Sequence, residues 1–501
     1  IRCDLEKEQI VLRLHTFHVL QTTSINNEDL DTGIPSRGWT GEAYRGHILW
    51  DEIFVFPFLT LRLPELARNL LMYRYRRLDE ARVNARNSNF KGAMFPWQSG
   101  SNGREESQVI HLNPASGNWI PDNTFLQRHV NAAIAYNVWK YFEITYDLEF
   151  LSVIGAELIL DIALFWADKA EWDEEKEKYV IKGVVGPDEY HTQYPDSDEP
   201  GINNNAYTNI MAAWVLKKAL ATLEHLDDRR QSELRTKLNI YQEDFERWKK
   251  ISSNMFVPFL KDGVMSQFEG FENLKDLDWD KYHKEYGEIL RLDRILEKEN
   301  DDVNAYKAVK QADVLMLFYL FSIEELSEML NEFGYDFKPE HIHDNISYYN
   351  TITSHGSTLS KLVHSWVMAR GYREKSWHEF QKALVSDLSD IQGGTTGEGI
   401  HLGAMAGTVD LIQRCYTGME VRDGSLWFNP QLPGNISFIC FRIKFRGRWL
   451  VFELNEKEIK LIPDGGWRKK PIQIFIQGNA YELGQDDPLV VEYQQEGVES
   501  T

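Results

Sequence analysis

The stretch NISFICFRIKFRGRWLVFELN (435–455) marks where the fold changes character. Ile439, Phe441, Ile443 and Phe445 alternate with Arg442 and Lys444, the period-two pattern of a strand with one buried face. Gly447, within Arg-Gly-Arg, supplies a hairpin turn, and RWLVFELN runs back as the partner strand. SLWFNP lies before this hairpin, EIKLI and PIQIFIQ after it, and Asp464-Gly465-Gly466 offers a second turn. Short strands at this spacing predict a small β-sandwich over 417–501, ending in a frayed QQEGVEST tail.

Upstream of 417 the periodicity is helical. EKEQIVLRLHTFHVLQ (6–21) repeats apolar residues at three and four, and 1–24 is read as a linker helix. Further helices are expected near 52–61, 64–85, 124–146, 148–169, 206–226, 228–251, 303–321, 323–333, 359–370, 376–388 and 402–415. Gly, Pro, Asn and Asp punctuate them, as in YPDSDEPGINNN (194–205). So many helices with irregular connections form either a solenoid or a closed helical barrel over 25–416. No self-similar period of about 30–45 residues is present, which counts against a repeat array.

Composition removes other classes. The 501 residues carry 77 Asp+Glu against 55 Lys+Arg, a net charge of −22, so no concentrated basic surface for nucleic acid is expected. The most apolar stretch, LILDIALFWA, is broken by Asp161, so no transmembrane helix is expected. Cys3, Cys415 and Cys440 are too scattered for a disulfide framework or metal cluster, which favours a reducing, cytoplasmic compartment. His341 and His343 make an HxH without an obvious third ligand, so no metal is expected.

Several inter-helix loops are too polar to be mere connectors: GEAYRGHILWDE (41–52), GAMFPWQSGSNGREE (92–106), GVVGPDEYHTQY (183–194), KQAD (310–313), TSHGSTLS (353–360) and GGTTGEGIH (393–401). Glu189 sits on a loop stiffened by Pro187 and flanked by Tyr190. A carboxyl against aromatic surface can serve as a general acid, while the plainer alternative is a solvated or helix-capping acid. His355-Gly356-Ser357-Thr358 opens a helix. Ser357 or Thr358 would cap it, and a helix N-terminus with hydroxyls and a His also suits phosphate. Trp50-Asp51 pairs a flat ring with a carboxylate, fit for a pyranose, or else Trp50 is core and Asp51 caps a helix. Lys310-Gln311 reads either as sugar-binding or as helix surface.

In order, GHILWDE, GAMFPW, HVNAAIAYNVWKY, GPDEYH with NNNAYTN, VKQAD, HGSTLS and GIHLGAMAGT span about 40–410. Together they resemble glycoside hydrolase family 65, whose members include inverting phosphorylases of maltose, trehalose, kojibiose and nigerose, and some hydrolases. The resemblance implies a mainly α fold: an (α/α)6 barrel catalytic domain followed by a small C-terminal β-sandwich. It implies Glu189 as proton donor, with Trp50, Asp51, Lys310 and Gln311 holding the glucosyl unit. His355, Ser357 and Thr358 would hold phosphate, a co-substrate; no cofactor is implied. Expected partners are a disaccharide and phosphate, with a homodimer common among relatives. Glu398, before the GIH segment, departs from the Asp more usual in phosphorylases. It is either the base of a hydrolase or, the favoured reading, a group that holds the loop against the helix at 402–415 or orients substrate. Family members normally carry an N-terminal β-sandwich; the sequence opens at what resembles the connecting helix, which leaves a non-catalytic sugar-binding remnant as a further alternative.

Overall fold

A computed structural model describes residues 1–27, 29–38, 43–390, 395–465, 470–485 and 487–494, with Asp262 described in its backbone only. Gly41, Glu42, Gly393, Gly394 and Gly466, and all but the first residue of the QQEGVEST tail, lie outside the described residues. Chain contacts divide the protein into two compact units.

The first unit joins Ile1–Tyr73, Asn137–Phe150 and Lys361–Thr501. Helix Glu6–Thr22 packs on helix Leu402–Asp410, where His15 Nδ1 lies 2.7 Å from the Thr408 hydroxyl. Glu52–Thr60 packs on the same helix. Two sheets complete the unit. In the larger one the strand order is Arg2–Cys3, Phe438–Phe445, Arg448–Asn455, Glu458–Asp464 and Leu489–Glu492, antiparallel throughout. The smaller runs Asn479–Leu483, Ile472–Ile476, Ser425–Phe428 and Glu420–Arg422, with a parallel pair at its centre. Phe428 of one sheet stacks on Phe452 of the other at 4.8 Å, and Ile439, Ile443 and Phe445 are fully buried. The alternation in 435–455 thus buries the face it predicts. The strand Arg2–Cys3, pairing with Ile439 and Cys440, is too short to show a pattern in sequence.

The second unit joins Arg74–Tyr136 and Leu151–Ser360. Helices Ala156–Lys169, Gln242–Ser253 and Asp313–Leu320 pack around Ala206–Glu224, and Glu340–Ile352 packs on Asp313–Leu320. Trp166, Trp214, Trp248, Tyr207 and Tyr349 fill this core. Leu148–Lys169 is long and apolar enough to cross a membrane, yet 89% of its most apolar window is buried in the protein, as a core helix would be. Asp161 on that helix meets Arg82 at 2.5 Å, and Glu157 one turn earlier meets the same guanidinium at 2.7 Å.

Three expected helices are corrected. The stretch 64–85 divides into Pro64–Tyr75 and Leu78–Asn87. The stretch 228–251 divides at Asn239, whose left-handed φ of 54° ends one helix before Asp244 caps the next. The third begins only at Asp313, because Asp302 caps a single 3-10 turn and 306–312 are bends and isolated bridges. Helices Trp279–Tyr286, Leu292–Lys298 and Glu340–Ile352 were not expected.

Candidate active site

Asn205 starts the site. Its side-chain oxygen accepts the Thr208 N–H and caps helix Ala206–Glu224, a contribution of about 1 kcal/mol. Its amide then donates to Asp313 Oδ2 at 2.7 Å and to Gln267 O at 3.1 Å. Asp313 is 1% exposed at the head of an otherwise apolar helix. Burial, with the Asp188 charge beside it, pushes its carboxyl well above the usual range and favours the neutral form.

The loop carrying Glu189 lies on this platform. Glu189 adopts a left-handed backbone, φ 65°, and its N–H donates to Gly186 O at 3.3 Å. Such a backbone is costly for a residue with a side chain and persists only where neighbours hold it. Several do. Gln311 donates to Pro187 O at 2.5 Å, and the Lys310 N–H donates to Asp188 Oδ1 at 2.6 Å. Tyr190 donates to Leu290 O at 3.3 Å and meets the Ser354 hydroxyl at 2.9 Å. The Glu189 carboxylate itself ion-pairs with Lys310 and accepts from Gln127 Nε2 at 3.4 Å. Gln127 Oε1 therefore faces His129 Nε2, 3.0 Å away, and that nitrogen must carry the proton. Burial lowers the His129 pKa to about 3, so the ring is neutral.

The turn at 355–358 is strapped to the same segment. Val309 accepts from the Ser354 N–H and donates to Ile352 O, and the Gly356 N–H donates to Lys310 O at 3.2 Å. His355 has φ 56°, with Nδ1 2.9 Å from the Ser360 hydroxyl. Ser357 Oγ accepts the Leu359 N–H at 3.2 Å at the start of helix Thr358–Met368, and Thr358 is buried. Glu189, Lys310, Gln311 and the His355-Ser357-Thr358 turn are thus drawn together within one unit. Lys310 and Gln311 lie in a bend ahead of a helix, not on a helix surface.

Trp50, Asp51 and Glu398 belong to the other unit. Trp50 is 4% exposed and packs edge-on against Phe54 at 5.7 Å. Asp51 precedes helix Glu52–Thr60 without capping it through its side chain. Glu398 is exposed and does not hold its loop. That work falls to Arg37, which donates to Gly399 O at 2.7 Å, and to Asp387, which accepts the His401 N–H at 2.8 Å and meets His401 Nδ1 at 2.7 Å.

The model of the glycosyl hydrolase family 65 central catalytic domain matches residues 13–410, and that of the family's C-terminal domain matches 419–483. The chain belongs to glycosyl hydrolase family 65. The fold class follows, mainly α with an (α/α)6 barrel and a small C-terminal β-sandwich. A solved structure assigned as a kojibiose phosphorylase from the human microbiome shares that fold at TM-score 0.81 and 24% identity, covering 99% of this chain and 67% of that one. An uncharacterized glycosyl hydrolase of Mycobacterium tuberculosis is 48% identical over 477 residues, 95% of this chain and 36% of that protein. The trehalose 6-phosphate phosphorylase of Lactococcus lactis is 39% identical over 449 residues, 89% of this chain and 57% of that protein. The chain therefore spans between a third and three fifths of the length of these two relatives.

Within this family 65 chain, the parts played by Gln127, Asp188, His191 and Asp313 emerge from the structure, although GPDEYH contains Asp188 and His191, and VKQAD contains Asp313.

Proposed function

We propose that this chain performs inverting phosphorolysis of an α-glucosyl disaccharide, releasing β-glucose 1-phosphate and a free sugar. The observation that carries the reading is the strap joining the Glu189 loop, Lys310 and the His355 turn, which puts a carboxyl and an anion-suited helix start on one support. The disaccharide phosphorylases among its relatives support it.

In this mechanism Glu189 gives its proton to the glycosidic oxygen, which leaves with the electrons of the C1–O bond. A phosphate oxygen attacks C1 from the opposite face, converting α to β. Lys310 moves from the Glu189 carboxylate to a sugar hydroxyl as substrate enters, the carboxylate takes a proton from solvent, and the phosphate oxygen that bonds to C1 gives up its proton to solvent in turn. The family resemblance also assigns Trp50 and Asp51 to the glucosyl unit. His355, Ser357 and Thr358 at the helix start hold the dianion. An inverting hydrolase instead needs a second carboxylate to activate water, and Glu398 is the residue for that role.

The test is incubation with a panel of α-glucosyl disaccharides, with and without phosphate. Saturable dependence on phosphate and release of β-glucose 1-phosphate are expected. Glu189→Gln should lose roughly 10²–10⁴-fold on unactivated substrates. Glucose released at full rate without phosphate, with Glu398→Gln inactive, would establish hydrolysis instead.

A further inference from the structure

His191 is 2% exposed and packs against the rings of Phe268 and Phe271, 5.0 and 5.5 Å away. Its Nε2 is 2.9 Å from Tyr306 O, and its Nδ1 is 2.8 Å from Asp188 Oδ2. A carbonyl oxygen only accepts, so Nε2 carries a proton. A neutral imidazole then has none left for Nδ1, and a lone pair would face a carboxylate oxygen in a dry interior. Rotating the ring by half a turn would place carbon against both oxygens and lose both bonds. The other oxygen of Asp188 accepts the Lys310 N–H at 2.6 Å.

We infer that His191 is a positioning residue for Glu189, acting as a doubly protonated imidazolium that ties the acid loop at Asp188 to the chain at Tyr306. The surrounding charges agree. Asp188, Glu189 and Asp313 crowd one place, and Lys310 is the cation in direct contact with Glu189. Arg291 is spent on Asp293 through two hydrogen bonds, at 3.0 and 2.5 Å. Tyr190, Tyr207 and Tyr349, which also face these carboxylates, are phenols whose pKa burial pushes upward, so they add no charge near neutrality. With Asp313 neutral and His191 charged, two anions face two cations. If His191 lost its second proton, the Asp188 bond would break and the left-handed backbone at Glu189 would lose a support.

The inference concerns the unliganded protein, so its main test does not depend on which sugar is cleaved. Histidine ¹⁵N spectra of the whole chain near neutral pH, with His191→Gln to assign the signal, should show both ring nitrogens of His191 protonated. Asp188→Asn offers an amide donor to Nδ1 and an acceptor to the Lys310 N–H, so it satisfies the same geometry without the extra proton. In that variant one His191 nitrogen should become unprotonated. An unprotonated His191 nitrogen in the wild type near neutral pH overturns the inference, even if Asp188→Asn does not fold. For the positioning role, which rests on the phosphorolysis reading, His191→Gln should lower kcat with little change in KM; a change in KM alone would reject that role.

Discussion

The backbone at Gly186 runs against the Asp313 carboxyl so closely that a Cβ at 186 would lie 2.1 Å from Oδ2 and 2.5 Å from Asn205 Nδ2. Neither neighbour can retreat, because Asp313 is buried and Asn205 caps a helix. Gly186→Ala must therefore lift the Glu189 loop off its platform. We expect a stability loss of about 1–3 kcal/mol and a fall in kcat that exceeds any change in KM, measured by urea unfolding and steady-state kinetics.

Gln311 spends its amide on Pro187 O, 2.5 Å away, and is 7% exposed. Its effect on catalysis runs through the loop. Gln311→Glu replaces a donor by an acceptor facing a carbonyl and should cost about 1–3 kcal/mol. Kinetics should show kcat falling for every disaccharide alike. A change confined to the KM of one substrate would make Gln311 a sugar ligand instead.

At Gly356 an added Cβ would lie 2.2 Å from Leu290 O and 2.9 Å from Lys310 Cγ. Gly356→Ala should shift the turn against the Lys310 strap. On the phosphorolysis reading, the KM for phosphate should rise more than the KM for the disaccharide.

Burial holds His15 at a pKa of about 4 and His129 at about 3. Both are depressed below the unfolded value of about 6.5. Unfolded chains then bind protons that the native state refuses, so stability is full above about pH 6.5 and is lost as pH falls toward 4 and 3. The slope is up to about 1.4 kcal/mol per pH unit for each histidine. Thermal melts from neutral pH downward should show it, and His15→Gln should flatten the curve.

Arg82 bridges Glu157 and Asp161, which are 2% exposed. Arg82→Met leaves two buried carboxylates, with Lys237 and the Tyr75 hydroxyl still on Glu157. A loss of about 3–5 kcal/mol is expected in denaturant unfolding. The double change Arg82→Met with Asp161→Leu should recover part of it.

How far the sequence could be read depended on the length of each pattern. The strands from 438 to 464 and helices such as Ala206–Glu224 were legible because apolar periodicity persists over many residues. The break at Asn239 depends on one residue's φ, and the strand Arg2–Cys3 on a partner more than four hundred residues away; neither leaves a local pattern. At the site, Glu189, Lys310 and the His355 turn were found because short motifs mark them. Asp188, Gln127 and His191 act through hydrogen bonds to distant segments, and no spacing in sequence records such partners. KQAD marks Lys310 and Gln311 as a polar loop while the periodicity puts them inside a helix at 303–321, and only coordinates show that one pairs with Glu189 and the other holds Pro187.

The two units are interleaved along the chain, and this fixes an order of assembly during synthesis. Every segment of the second unit has been made once residue 360 is complete, while the first unit still waits for 361–501. Helix Glu6–Thr22 emerges well before its packing partner Leu402–Asp410. At roughly 5–20 residues per second, its apolar face stays uncovered for tens of seconds. The unit bearing Glu189 is thus free to fold first on the ribosome, and the opening helix is the segment most in need of a chaperone while the sheet strands are still being made.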